Sequence, residues 1–178
     1  LVVVLLTKFD GKEFVGLALF LLAALTDFLD GYFARRFNLV TRFGQLLDPA
    51  ADKILIAAAF VSLVELDPSV TPSWMVVAIL AREFAVNALR SHAALEQVVI
   101  PAGLSGKIKT GAQIVAISLL IIYNKLGEFS HLAPISLWVA VIVTLYSGAD
   151  YFVRYWRRLS SSAGGARPPS SPQPPAIA

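Results

Sequence analysis

The stretch Thr26–Lys53, TDFLDGYFARRFNLVTRFGQLLDPAADK, carries four aspartates and is flanked on both sides by apolar segments long enough to cross a bilayer. An ionised residue at the centre of a membrane helix costs roughly 2.5–3.5 kcal/mol on insertion scales. Asp27, Asp30, Asp48 and Asp52 would together cost on the order of 10 kcal/mol if nothing offset their charge. An aspartate is too short to snorkel to the interface as a lysine does. The four carboxylates are therefore expected to face a polar cavity and hold something positive.

Their spacing supports this. On a helix, Asp27, Asp30, Gly31, Ala34 and Arg35 share one face, and Gly44, Asp48 and Asp52 share another. Two such faces turned toward each other gather four hard oxygen donors beside one guanidinium. That donor set suits Mg²⁺, Mn²⁺ or Ca²⁺ rather than zinc or copper. Gly31, Ala34 and Gly44 leave room for a bulky ligand near the backbone. Helix capping at a membrane surface would explain one or two aspartates, but not four with glycines in phase.

The 178 residues are 57% hydrophobic and only 15% charged, against about 25% charged in a soluble domain. This predicts an integral membrane protein. Cysteine is absent, which excludes disulfides, thiolate metal sites and a cysteine nucleophile. The two histidines, His92 and His131, are too few and too far apart in the chain for a histidine metal cluster.

Leu1–Leu6 is apolar but too short to span, and it has no basic region of the kind that begins a signal peptide. It reads as the tail of a first membrane helix whose beginning is missing. Spans are expected from Phe14 to about Phe37, Gln45 to Val64, Ser73 to about Leu95, Gly106 to Tyr123 and Pro134 to about Phe152. Pro49 then falls near a helix start, where proline is tolerated. Val98–Ser105, with Pro101 and Gly103, reads as a loop or re-entrant turn. Residues 1–158 form the expected transmembrane catalytic domain. Residues 159–178, rich in Ser, Gly and Pro, form a tail expected to be disordered.

With loops on alternating sides, every Lys and Arg except Lys8, Lys12 and Lys125 collects on one side. That side is the cytoplasmic one by the positive-inside rule. The four aspartates lie near it, so the site is expected to open to the cytoplasm. No nucleic-acid partner is expected.

The string Asp27-x-x-Asp30-Gly31-x-x-Ala34-Arg35, eight residues, then Gly44-x-x-x-Asp48-x-x-x-Asp52 resembles the signature of the CDP-alcohol phosphatidyltransferase family at every fixed position. LDPAADK, AREFAVNALR, SGKIKTGAQ and TLYSGADYF are similar to the bacterial members that make phosphatidylglycerophosphate. The resemblance runs from Leu1 to about Arg158. It implies an all-α, six-helix transmembrane bundle, with the first helix truncated here. It also implies a homodimer and one or two divalent cations, Mg²⁺ or Mn²⁺, between the second and third helices. The implied reaction passes the phosphatidyl group of CDP-diacylglycerol to sn-glycerol 3-phosphate and releases CMP.

On that reading Asp27, Asp30 and Asp48 are metal ligands and Asp52 is a ligand or near neighbour. Asp52 is also the expected general base, so Asp48 and Asp52 are the catalytic pair. Arg35 lies near the CDP phosphates, with Asp27, Gly31, Ala34 and Gly44 around the nucleotide. The acceptor's phosphate calls for other basic groups, and Arg82, Arg90, Lys107 and Lys109 are the candidates, with Arg42 a weaker one at the rim. Each has a plainer reading. Lys107, Lys109 and Arg90 could mark the cytoplasmic end, and Glu83 could neutralise Arg82. The aromatic residues Phe28, Phe33, Trp74, Trp138 and Trp156 read as lipid-facing, packing or interfacial groups. Ser147, Gly148 and Tyr151 read as positions where helices approach closely, and the two histidines as surface residues.

Two rivals remain at this point. One is the same transfer to another acceptor: serine, inositol phosphate, or the phosphatidylglycerol used by a cardiolipin synthase. The other is a cation-coupled transporter, although inverted repeats and broken helices of the kind such proteins show are not evident.

Overall fold

A computed structural model describes residues 1–36, 42–95 and 104–164; within these, side chains are described except at 28, 31, 33–35, 42–52, 104, 105 and 159–164. The described chain is helical. A short α1 (Val2–Leu6) precedes α2 (Lys12–Arg36), α3 (Arg42–Leu66), α4 (Ser73–Leu95), α5 (Leu104–Ile121) and α6 (Leu132–Gly164). Two 3₁₀ turns, Tyr123–Lys125 and Gly127–Phe129, join α5 to α6. At 1.5 Å per residue, α2 and α3 are each about 37 Å long, enough for a hydrocarbon core of about 30 Å.

The turn between α1 and α2 uses Gly11 at φ +82°, a left-handed conformation that costs glycine nothing. In the loop from α3 to α4 the Asp67 carboxylate accepts hydrogen bonds from the Ser69 hydroxyl and from the backbone N–H groups of Ser69 and Val70. The Ser69 hydroxyl, assisted by those N–H groups, lowers the Asp67 carboxyl pKa from its ordinary value, against the opposing effect of burial.

The core takes a large, fully buried side chain from each long helix: Phe20, Phe60, Ile79, Ile117 and Leu137. Leu5 of α1 joins them and packs beside α2 and α3. The most extensive helix interface is that of α5 with α6. Outside this core, the described surface carries large apolar side chains on every long helix. Leu22, Val61, Phe84, Val115 and Ile142 are all more than half exposed, and they lie on five different helices. Glu83, Gln113, Thr144 and Ser147 are buried instead. An apolar exterior of this extent is foreign to a soluble monomer and suits lipid.

Among the described residues, one helical stretch, Gly127–Arg158, is long and apolar enough to cross a membrane on composition alone. The five spans expected from sequence are therefore not all recovered in this way. In α4 the reason is visible: the helix begins and ends where expected, at Ser73 and Leu95, but it carries Arg82, Glu83 and Arg90. Three further differences from expectation are local. Helix α3 begins at Arg42, so Pro49 is its eighth residue and not in its first turn. A proline there has no N–H for the carbonyl of Gln45, four residues back. Helix α5 runs from Leu104 to Ile121, two residues earlier at each end than expected, and holds Lys107 and Lys109 as expected. Helix α6 continues to Gly164, so residues 160–164, read from composition as tail, are helical. The rest of that tail, like most of the Val98–Ser105 loop, lies outside the described residues.

Candidate active site

The signature residues fall on two helices that pack together. Asp27 and Asp30 stand one turn apart near the end of α2, followed by Gly31, Ala34 and Arg35, while Gly44, Asp48 and Asp52 are on the first half of α3. Asp27 is partly buried and Asp30 exposed. Neither has an ion-pair or hydrogen-bond partner among the described residues. Two carboxylates one turn apart are a fitting donor set for a hard cation. The side chains of Gly31, Ala34, Arg35, Gly44, Asp48 and Asp52, and of the rim candidate Arg42, lie outside the described residues. Described His, Asp and Glu side chains alone form no group of three that could hold a metal.

Next to this acidic region lies a basic one. Lys53, the residue after Asp52, donates from Nζ to Asn87 Oδ1 at 2.6 Å and so ties this part of α3 to α4. One turn back on α4 sits Glu83, with its side chain 10% exposed. Its Oε1 accepts three hydrogen bonds, from Lys109 Nζ of α5 at 2.5 Å, Gln113 Nε2 of α5 at 3.2 Å and Arg82 Nη1 at 3.3 Å. Gln113 Nε2 also donates to Thr144 Oγ1 of α6 at 3.2 Å, and Arg82 Nη2 donates to Ser147 Oγ of α6 at 3.0 Å. The carboxylate thus joins α4 to α5, and two of its donors, Arg82 and Gln113, carry the network on to α6. The buried cluster carries two positive charges and one negative. Arg90 lies close enough to Arg82, and Lys53 to Lys109, to raise the positive potential further.

Of the four residues expected to meet the acceptor's phosphate, the structure brings Arg82 and Lys109 together on Glu83. Arg90 is not on that carboxylate; its guanidinium lies 5.7 Å from the Tyr151 ring centroid on α6, within range of a cation–π contact. Lys107 is exposed.

Helix α6 supplies more than close packing. Ser147 and Tyr151 each hold an arginine of α4, and Gly148 makes room for the stem of Arg82. A Cβ at 148 would lie 2.8 Å from Arg82 Cγ and 3.1 Å from Nε. Arg82 is pinned at both Nη atoms, so it cannot simply step aside. Gly148→Ala is expected to cost about 1–3 kcal/mol as overpacking does. Thermal unfolding in detergent would check this, and an unchanged midpoint would mean that Arg82 relocates freely.

Sequence reasoning missed Gln113 and Thr144, two ordinary polar residues in apolar helices. Their signal was burial cost: a polar side chain inside a membrane helix calls for a partner. The histidines are exposed as expected, though His92 Nδ1 is 2.9 Å from the Tyr155 hydroxyl and adds a further α4–α6 contact. Trp74, Trp138 and Trp156 are all at least half exposed.

An all-helical bundle with an apolar exterior, aspartates in helical phase on two packed helices and a buried basic cluster beside them is equipment for handling phosphates at a membrane. The sequence pattern of the CDP-alcohol phosphatidyltransferase family matches residues 1–146, and the chain belongs to that family. It is 48% identical over 150 residues to the CDP-diacylglycerol–glycerol-3-phosphate 3-phosphatidyltransferase of Bacillus subtilis (strain 168), covering 83% of this chain and 76% of that protein. A Rickettsia bellii protein of the same name is 42% identical over 141 residues, 78% of this chain and 77% of its own length. The probable phosphatidylglycerophosphate synthase of Mycobacterium tuberculosis (strain H37Rv) is 38% identical over 157 residues, 88% of this chain and 71% of its own.

Proposed function

We propose that this protein transfers the phosphatidyl group of CDP-diacylglycerol to sn-glycerol 3-phosphate, giving phosphatidylglycerophosphate and CMP. Similarity to relatives of that name supports the reading. The structural observation that carries it is the Lys53–Asn87 hydrogen bond, which sets the α3 segment bearing Asp48 and Asp52 beside the Arg82–Glu83–Lys109 cluster. An acceptor that carries its own phosphate needs such cations next to the reacting centre. A neutral or zwitterionic acceptor such as serine does not.

The acceptor hydroxyl attacks the phosphorus that bears diacylglycerol. A new P–O bond forms, the bond to the CMP oxygen breaks, and CMP leaves with the electron pair. Asp52 takes the hydroxyl proton, for which it must come within hydrogen-bond reach. Asp27, Asp30 and Asp48, with Asp52 as ligand or neighbour, would hold one or two Mg²⁺ or Mn²⁺ ions. A divalent cation there would neutralise the pyrophosphate and stabilise the leaving oxygen. Arg35 meets the CDP phosphates, and Gly31, Ala34 and Gly44 leave space for the nucleotide. Arg82 and Lys109 face the acceptor's phosphate, with Arg90 and Lys107 guiding its entry.

In this reading the helices form a six-span bundle in a bacterial cytoplasmic membrane, homodimeric, with the basic end and the site facing the cytoplasm. Residues 1–158 form its catalytic unit, and 159–178 are the tail beyond it. The test is CMP release in detergent from CDP-diacylglycerol, with glycerol 3-phosphate, serine or inositol phosphate supplied separately. Release is expected with glycerol 3-phosphate alone, lost on chelation and restored by Mg²⁺ or Mn²⁺. Release with another acceptor alone would move the substrate assignment. Release that survives exhaustive chelation would remove the metal.

A further inference from the structure

Glu83 is a buried carboxylate with no part in the transfer chemistry, yet it gathers donors from α4 and α5, two of which also bond α6. Among the described residues, its three hydrogen bonds all fall on a single oxygen, Oε1. The donors include both cations of the cluster, and their side chains are about nine-tenths buried. Arg82 keeps an unused donor. Its Nη1 is held by Glu83 and its Nη2 by Ser147, while its Nε is buried without a hydrogen-bond partner among the described residues. That Nε lies against Gly148, where no side chain fills the space. A buried N–H left without an acceptor costs free energy, and a ligand oxygen arriving there would remove the cost. If Glu83 served only to neutralise, one cation would have been enough. Two cations on one carboxylate leave a net positive charge with a fixed geometry.

We propose that Glu83 is a positioning residue for the acceptor: it fixes Arg82 and Lys109 as a rigid pair that captures the acceptor's phosphate. This rests on the functional reading above. The carboxylate does not touch the reacting atoms. It acts by holding two flexible side chains in one arrangement, which lowers the ordering cost of binding a dianion.

The experiment compares the wild-type protein, Glu83→Gln and Glu83→Asp in detergent. Glutamine keeps the size and an acceptor oxygen but removes the charge that pins the cations. For Glu83→Gln, the KM for glycerol 3-phosphate is expected to rise about tenfold or more while the KM for CDP-diacylglycerol stays within about twofold. Glu83→Asp restores the charge and is expected to recover part of the acceptor KM. A second readout needs no turnover: inorganic phosphate should raise the thermal midpoint of the wild-type protein and of Glu83→Asp, but not that of Glu83→Gln. An unchanged acceptor KM, an equal change in both KM values, or equal stabilisation of all three proteins by phosphate would overturn the proposal. So would loss of folded protein in both variants, since Glu83 would then be structural alone. Failure of the functional reading looks different. The wild-type protein would not use glycerol 3-phosphate, while the dependence of phosphate stabilisation on Glu83 would still stand or fall by itself.

Discussion

Asp52→Asn is expected to abolish CMP release, lowering kcat by about a hundredfold to ten-thousandfold, the range for removing a general base. Asparagine has nearly the same shape, so the fold has no steric reason to change. It has no charge to hold a cation and no basic oxygen to take the hydroxyl proton. If Asp52 also ligates metal, the loss falls at the upper end of that range, and extra Mg²⁺ restores little because the base is still missing. Asp48→Asn is expected to differ here: weakened metal binding is partly recovered at high Mg²⁺. Asp67→Asn is the control. Asp67 is bound to Ser69 and Val70 in the loop from α3 to α4, at the opposite end of α3 from the signature, so its replacement should leave release unchanged. Folding is checked by thermal unfolding of each variant. Near-normal turnover in Asp52→Asn would remove that residue from its role as base.

The second large effect is expected at Lys109. Its replacement by methionine keeps the length of the side chain and removes the cation 2.5 Å from Glu83 Oε1. Glu83 would keep Arg82 and Gln113, but with less compensation for a charge its own protein buries. Removing one partner of a buried ion pair costs about 3–5 kcal/mol, so the thermal midpoint should fall sharply. Acceptor use should fall as well, because one of the two phosphate-facing cations is gone. These consequences separate in the double variant Lys109→Met with Glu83→Gln. Removing the stranded carboxylate should restore most of the stability but none of the acceptor affinity. If the double variant regained both, Lys109 would serve only to neutralise Glu83. The glycerol 3-phosphate dependence of CMP release, measured beside the unfolding midpoint, decides between them.

Much of the molecule was readable before any coordinates. The third expected span, Ser73 to Leu95, has those very limits in the structure, because Pro72 and the polar residues before it stop the preceding loop sharply. Family membership was also legible, since the signature depends on residue type at fixed spacing, which a sequence states outright. Boundaries failed where the signal was weak. Arg42 and Phe43 looked like connection but continue α3 into its start. Residues 160–164 looked like the start of a disordered tail by composition, yet they extend a helix already nucleated over many turns.

The candidate site divides in the same way. By itself the sequence determined that four aspartates and two glycines fall in helical phase, that the chain is largely apolar, and that Arg82 is deep enough to need a partner. Each of these follows from order along one helix, where neighbours three and four residues apart are fixed by geometry. Only the tertiary structure decided who that partner is shared with. The Glu83 to Lys109 bond joins residues 26 positions apart, and the Arg82 to Ser147 bond joins residues 65 apart. The same holds for Gly148, whose missing side chain matters only because Arg82 crosses there. Which helix faces meet depends on packing the whole bundle at once, and a buried charge takes the partner that this packing brings within reach.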